Sequence, residues 1–222
     1  MIIKEHIPPI GVSRLNINQN LTKFLRVDQP RIFVHSMLTD SQKQILLTAA
    51  RRAIEAAVQG KGIPPHEILD QTLLAPGSAF VTLRIDEELR GCIGYIEPVK
   101  PLIETIQEVA VKSALEDFRF APVQKYELSD ISIEISVLSR LRQITDINEI
   151  EIGKHGILME AKNLRGLLLP QVAVEQQWDR ETFVIQTARK AGLPSTIWQQ
   201  PSTKIFIFTA EIFHEIQNMK AV

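Results

Sequence analysis

Leu89-Arg90-Gly91-Cys92-Ile93-Gly94 contains the single cysteine of a 222-residue chain, with an arginine two positions before it and a glycine on either side. A thiol becomes a nucleophile when it loses its proton, and a neighbouring cation favours that loss. On an extended strand side chains alternate between faces, so Arg90 and Cys92 are expected to point one way and Ile93 and Tyr95 the other. The guanidinium would then tune the sulfur or grip an anionic group. Cys92 has a second reading, as a small buried hydrophobe with Arg90 paired to an acid such as Glu88. Gly91 and Gly94 also read two ways. They open the strand face to a ligand, or they mark a bulge and the close packing of a helix.

Two other places hold candidate groups. His155 lies in Ile152-Gly153-Lys154-His155-Gly156, which is either a plain turn or a turn whose backbone amides hold an anion. If the fold brings it to Cys92, it is a candidate base. Glu116-Asp117-Phe118-Arg119-Phe120 reads as a salt-bridged helix end with a hydrophobic anchor, or as a pocket wall. The five histidines, at 6, 35, 66, 155 and 214, form no HxH or HxxxH pair, so no metal is expected. Trp178 and Trp198 read as core or interface aromatics.

The elements that must position these groups are legible from caps and periodicity. Thr39-Asp40-Ser41-Gln42 has capping-box spacing ahead of Ile45, Leu46, Ala49, Ala53, Ile54, Ala57 and Val58, which predicts a helix stopped by Gly60 and Gly62. A proline-interrupted loop over 61–76 follows. Ala79 to Ile85 reads as a strand that turns at Asp86-Glu87-Glu88, placing Cys92 on the return strand of a hairpin. Pro101 opens a helix running to about Asp117, and Ile131 to Val137 alternates as a half-buried strand. Gly156–Ala161 and Leu164–Leu169 read as a second hairpin around Lys162-Asn163, with a helix beginning at Pro170. Asp179 caps a helix with Arg189 and Lys190 in its last turn and Gly192 as its stop, and residues 204–213 read as the last strand. The expected class is α+β with a mainly antiparallel sheet flanked by helices. Leu-Arg-Gly recurs at 89–91 and 164–166, too short a match to establish a repeat.

With 45% hydrophobic residues, 23% charged and a net charge of −1, the composition is that of a soluble domain, and it offers no overall basic field for nucleic acid. Residues 1–38 hold five basic residues against two acids, a net +3, which leaves −4 on the remainder. The opening MIIKEHIPPIG lacks the basic start and unbroken apolar stretch of a secretory signal, and a single cysteine forms no internal disulfide. A cytoplasmic protein without a membrane span is expected.

The segments FVTLRIDEELRGCIGYIEP, DFRF, ISIEISVLS, IGKHGILM, LLLPQVAVEQQW and RKAGLP, in this order, resemble the AMMECR family, also called protein A of the AmmeMemoRadiSam system. The resemblance implies a larger and a smaller subdomain within residues 39–216, preceded by an extension over 1–38 and followed by a tail over 217–222. It places Arg90, Gly91, Cys92 and Gly94 on a motif suspected to line a pocket, Asp117, Arg119 and Phe120 on a D-x-R-F segment, and His155 on a glycine-flanked histidine turn. The partners it implies are a Memo-like protein and a radical SAM protein, beside a small-molecule ligand. It names neither reaction nor cofactor, and it leaves open an enzyme, an enzyme subunit or a non-catalytic binding module. The family often carries a second cysteine before KAGLP, where this chain has Ala188, so a mechanism needing two thiols within the chain is not expected.

Overall fold

A computed structural model of the chain describes residues 37–215, so nearly all of the expected N-terminal extension and the whole of the expected tail lie outside the described residues. Helix α1 (Asp40–Val58) begins with the anticipated capping box: the Gln42 N–H donates to Thr39 Oγ1 at 3.2 Å, and the Thr39 N–H donates to the Gln42 side chain at 2.9 Å. The loop after it is not structureless. Asp70 accepts from the Thr72 and Leu73 amides and caps one helical turn, α2 (Gln71–Leu74). Strands β1 (Ser78–Ile85) and β2 (Glu88–Tyr95) form the first hairpin around Asp86 and Glu87, both at positive φ as a tight two-residue turn requires. Helix α3 (Leu102–Leu115) and strand β3 (Ser132–Leu138) follow, and then a short strand that the sequence does not announce, β4 (Arg142–Ile144).

The second half opens with hairpin β5 (Gly156–Ala161) and β6 (Leu164–Leu168), joined through Lys162 and Asn163 at positive φ. Helix α4 (Pro170–Glu175) starts at its proline, and α5 (Arg180–Lys190) starts under Asp179, which accepts from the Thr182 amide. The stretch expected as one last strand is two, β7 (Lys204–Phe208) and β8 (Ala210–His214). The single sheet likewise resolves into two four-stranded antiparallel sheets, ordered β2-β1-β3-β8 and β4-β7-β5-β6. The break falls at Thr209, where the chain leaves one sheet and joins the other.

This order contains an internal correspondence. β1-β2-α3-β3-β4 and β5-β6-α5-β7-β8 have the same plan of hairpin, helix, a strand pairing with the first strand of the hairpin, and a fourth strand handed to the other unit's sheet. The two crossings meet: the Ser139 N–H donates to the Thr209 carbonyl at 2.9 Å, and the Thr209 N–H donates to Ser139 Oγ at 2.9 Å. The recurring Leu-Arg-Gly occupies corresponding places. A Cβ at Gly91 would stand 2.1 Å from the Ser113 carbonyl oxygen of α3, and one at Gly166 would stand 2.7 Å from the Thr187 carbonyl oxygen of α5. Ser113 and Thr187 each direct a hydroxyl to the carbonyl four residues back, on Val109 and Phe183. Each glycine therefore admits its helix onto its hairpin.

Three apolar clusters hold the molecule together. One lies between α1, α3 and the first sheet, and one between α5 and the second. The third joins the lobes, with Phe80, Cys92, Ile96 and Leu138 from the first against Leu158, Leu167, Leu169 and Phe208 from the second. Burying eight such residues at a seam makes it a dry contact held by the hydrophobic effect rather than a hinge across water. Since Gly91 corresponds to Gly166, Cys92 corresponds to Leu167. One unit places a thiol where the other places a hydrocarbon.

Candidate active site at the seam between the lobes

Strand β2 carries a bulge: Gly91 pairs with Leu83 and Leu89 with Arg84, leaving Arg90 as the extra residue. Leu89 and Cys92 consequently both join the seam cluster, although their spacing on a regular strand would put them on opposite faces. The shared face expected for Arg90 and Cys92 is overturned for this reason. The Arg90 guanidinium binds Glu127 through Nε at 2.8 Å and Nη2 at 3.1 Å, and Nη2 also donates to the Ala121 carbonyl at 2.9 Å. The pairing with Glu127 holds that carboxyl below its ordinary range. Glu127, not Glu88, is its acid.

Cys92 is 2% exposed, and its sulfur accepts from Thr82 Oγ1 at 3.3 Å. Burial pushes the thiol up, against the lowering effects of the Thr82 hydrogen bond and the charges of Arg119 and Lys190. In the closed fold this group is a thiol. Its backbone is clamped from the side: Asp117 Oδ2 accepts the Cys92 N–H at 2.8 Å, and Arg119 Nη2 donates to the Cys92 carbonyl at 3.3 Å. β2 is an edge strand, and this Asp–Arg pair occupies the backbone groups that another strand would have taken. Asp117 and Arg119 are themselves joined by two charge-assisted bonds, Nε to Oδ1 at 2.8 Å and Nη2 to Oδ2 at 2.5 Å. The buried Asp117 carboxyl is held below its usual range by Arg119 and the Cys92 amide, which outweigh its desolvation. Phe120 lies beside both guanidinium groups, 5.3 Å from that of Arg119 and 6.0 Å from that of Arg90.

The expected glycine roles separate. Gly91 admits the backbone of α3, and a Cβ at Gly94 would stand 2.3 Å from the Phe80 ring, so both glycines serve packing. Ser113 completes that contact, its hydroxyl accepting from the Ile93 N–H and lying 2.8 Å from the Val81 carbonyl between the two strands. His155 is closed into its own turn. Its Nδ1 accepts from the Glu151 amide at 3.1 Å, and the amides of Lys154 and His155 both donate to the Glu151 carbonyl. The Lys154 and His155 amides are thereby taken up within the turn itself. Burial lowers the His155 pKa, and among the described residues no hydrogen bond joins it to Cys92. Trp178 and Trp198 pack at the margin of the second core.

The group that spacing did not reveal is Lys190. It ends α5, beside Ala191, which packs on Gly166 next to the seam residue Leu167. The residue is half-buried, and burial lowers its pKa to about 8, against a raising effect of Cys92 and with a smaller lowering by the charge of Arg119. Among the described residues no carboxylate pairs with it; Lys43, Lys100, Lys112 and Lys154 each have one, and Lys61, Lys125, Lys162 and Lys204, which also have none, are exposed where Lys190 is half-buried. In sequence it reads as an ordinary cation at a helix C-terminus, because its true neighbours are some 70 to 100 residues away in the other lobe. Among the described residues no three His, Cys, Asp or Glu side chains converge as metal ligands, and no helix is long and apolar enough to cross a membrane.

The AMMECR1 family model matches residues 47–213, three quarters of the chain and all of the seam. The chain belongs to the AMMECR1 family. A protein of Methanothermobacter thermautotrophicus is 41% identical over 188 residues, covering 82% of this chain and 98% of its own. One from Thermococcus kodakarensis is 41% identical over 189 residues, covering 80% and 92%. The crystal structure of the uncharacterized protein PH0010 from Pyrococcus horikoshii superposes with a TM-score of 0.77 at 39% identity, over 80% of this chain and 93% of that one. The α+β fold is thus shared with a relative whose structure is solved.

Proposed function

We propose that this AMMECR1 protein is an enzyme or enzyme subunit that receives a small anionic substrate at the margin of the seam, with Arg119 and Lys190 as its cationic groups, and that it acts alongside a Memo-like protein and a radical SAM protein. The observation that carries the reading is Lys190 itself. A half-buried lysine whose pKa burial lowers to about 8, with no carboxylate of its own among the described residues, is an electrostatic cost that an anionic ligand would remove. Arg119 adds direction, because Asp117 and the Cys92 carbonyl engage its Nε and Nη2 while Nη1 has no hydrogen-bond partner among the described residues. The partner proteins rest on the family resemblance. Thermal unfolding in millimolar pyruvate, citrate or phosphate tests the ligand class. At least one anion should raise the melting temperature of the wild type, and Lys190→Met should lose that increment; equal shifts in both proteins would overturn the reading.

A second reading, a non-catalytic binding module, is favoured by the burial of Cys92 and the upward push on its thiol. It makes the sulfur a packing group. The two separate on alkylation of Cys92 in the presence of the Memo-like and radical SAM proteins: a reaction centre gains reactivity when its partners engage, and a packing thiol does not.

A further inference from the structure

We propose that Thr82, Ser136 and Glu134 carry the proton of the Cys92 thiol across the seam-facing side of the first sheet, with Glu134 as the base that accepts it. This goes beyond the anion-binding reading and needs neither Lys190 nor a bound anion. Strand pairing places the groups in one row. Cys92 lies opposite Thr82, Thr82 opposite Glu134 and Glu134 opposite His214, so β2, β1, β3 and β8 set a thiol, a hydroxyl, a carboxylate and an imidazole side by side. Directly opposite residues share a face of the sheet, with Cβ atoms about 4.5–5.5 Å apart. At the inner end the Thr82 hydroxyl already meets the sulfur, Oγ1 to Sγ at 3.3 Å. At the outer end β8 is an edge strand, with His214 exposed and Glu134 half-buried beside it.

Ser136 is the second observation. It stands two residues from Glu134 on the same face of β3, diagonal to Thr82, and it is 1% exposed. The buried hydroxyls of Ser78, Thr82, Thr105, Ser113 and Thr187 each make a hydrogen bond, whereas that of Ser136 makes none among the described residues. A buried hydroxyl without a protein partner is a site for water. A water held there spans the gap between Thr82 and Glu134, which make no hydrogen bond to each other among the described residues. A polar stripe on a sheet face ordinarily faces solvent, but Thr82 and Ser136 are buried, so solvation does not account for them. Glu134 makes no ion pair or hydrogen bond among the described residues, and its carboxylate is therefore not committed to holding the fold.

The step moves one proton and needs no oxidant or reductant. The sulfur gives its proton to Thr82 Oγ1 as Thr82 gives its own to the water, and the water gives one to Glu134. An S–H bond breaks, an O–H bond forms on the carboxylate, and Thr82 and the water end as they began. The products are a thiolate, to which Thr82 then donates, and a neutral carboxyl, from which His214 passes the proton to solvent. Burial keeps the sulfur protonated at rest, so the nucleophile forms only as its proton finds a way out of the closed fold. The charged groups acting on the sulfur, Asp117 and Arg119 from the loop after α3 and Lys190 from α5, lie outside this row.

The single cysteine makes the test specific, because the full chain has one S–H stretching band in its infrared spectrum. On transfer to deuterated water, the rate at which that band is lost to S–D is read beside exchange of the Cys92 amide, which Asp117 holds and which exchanges when the strand opens. Glu134→Gln keeps the shape of the side chain and removes the base. It should slow S–H exchange about a hundredfold, the lower end of what a positioned proton acceptor contributes, and leave the amide rate unchanged. Thr82→Val should do the same, and Ser136→Ala serves if the valine variant does not fold, since it removes no hydrogen bond of the described fold. An S–H rate unchanged in Glu134→Gln, or one that moves only in step with the amide, would overturn the proposal, because the proton would then leave by opening of the strand. Neither result bears on the anion site, which stands or falls on the melting shift lost in Lys190→Met.

Discussion

Arg119 gives Cys92 its charge environment, and Arg90 does not. Arg90→Gln should therefore leave the Cys92 alkylation profile nearly unchanged while releasing Glu127, which the bidentate pair holds below its ordinary range. A marked slowing in that variant would restore the strand-face pairing expected from sequence. Lys190 makes a sharper prediction. Its folded pKa of about 8 lies below the ordinary 10.5, so the folded state binds its proton less tightly than the unfolded chain does, and stability attributable to this group rises between those two pH values. Below about 8 the charged ammonium is present in both states and only the folded one bears its burial. Lys190→Met should accordingly be more stable at neutral pH, by roughly 1–2 kcal/mol after allowing for partial solvent screening, with the gain shrinking toward pH 10 in denaturant titrations. A variant less stable at pH 7 would contradict this. Cys92, Asp117 and Arg119 were visible in the sequence as chemical groups. Their arrangement was not, because a bulge changes which residues share a face and no residue type announces it.

At the scale of elements, the two Leu-Arg-Gly turns of chain matter for their glycines. Gly91→Ala would place a methyl carbon 2.1 Å from the Ser113 carbonyl, a backbone atom that moves only if α3 moves. A loss of about 3 kcal/mol or more is expected, at the upper end of overpacking, read as a fall in the denaturant midpoint. A near-neutral effect would mean that α3 does not press on β2. Helix caps, hairpin turns and the alternation of β3 were legible because their signals are local: Thr39 with Gln42, Asp179 with Thr182, and Lys162-Asn163 between two apolar runs. β4 was missed because only Ile144 of its three residues is buried, so it carries no periodic pattern. Residues 204–213 looked continuous because β7 and β8 are separated by Thr209 alone; the change of sheet is set by the crossing with Ser139, a partner 70 residues away.

At the scale of the whole molecule, the lobes exchange their fourth strands and share a dry seam, so the site has no existence in either half alone. Phe208, 2% exposed in that seam, tests the coupling. Phe208→Ala should cost about 3–5 kcal/mol and, by loosening the contact over Cys92, speed alkylation of the thiol; destabilisation with no gain in thiol reactivity would place the thiol's protection elsewhere. The recurrence of Leu-Arg-Gly was the sequence's trace of the two-unit plan, and three residues cannot carry that message until Ser113 and Thr187 are seen over the two glycines. The central claim is that Lys190 and Arg119 form an anion-receiving site across the seam. Its most direct test is a pH titration of the Lys190 side chain by NMR in isotopically labelled protein, with and without pyruvate. A midpoint near 8 that moves upward when pyruvate binds is the predicted result. A midpoint at the ordinary lysine value, unmoved by pyruvate, would contradict it.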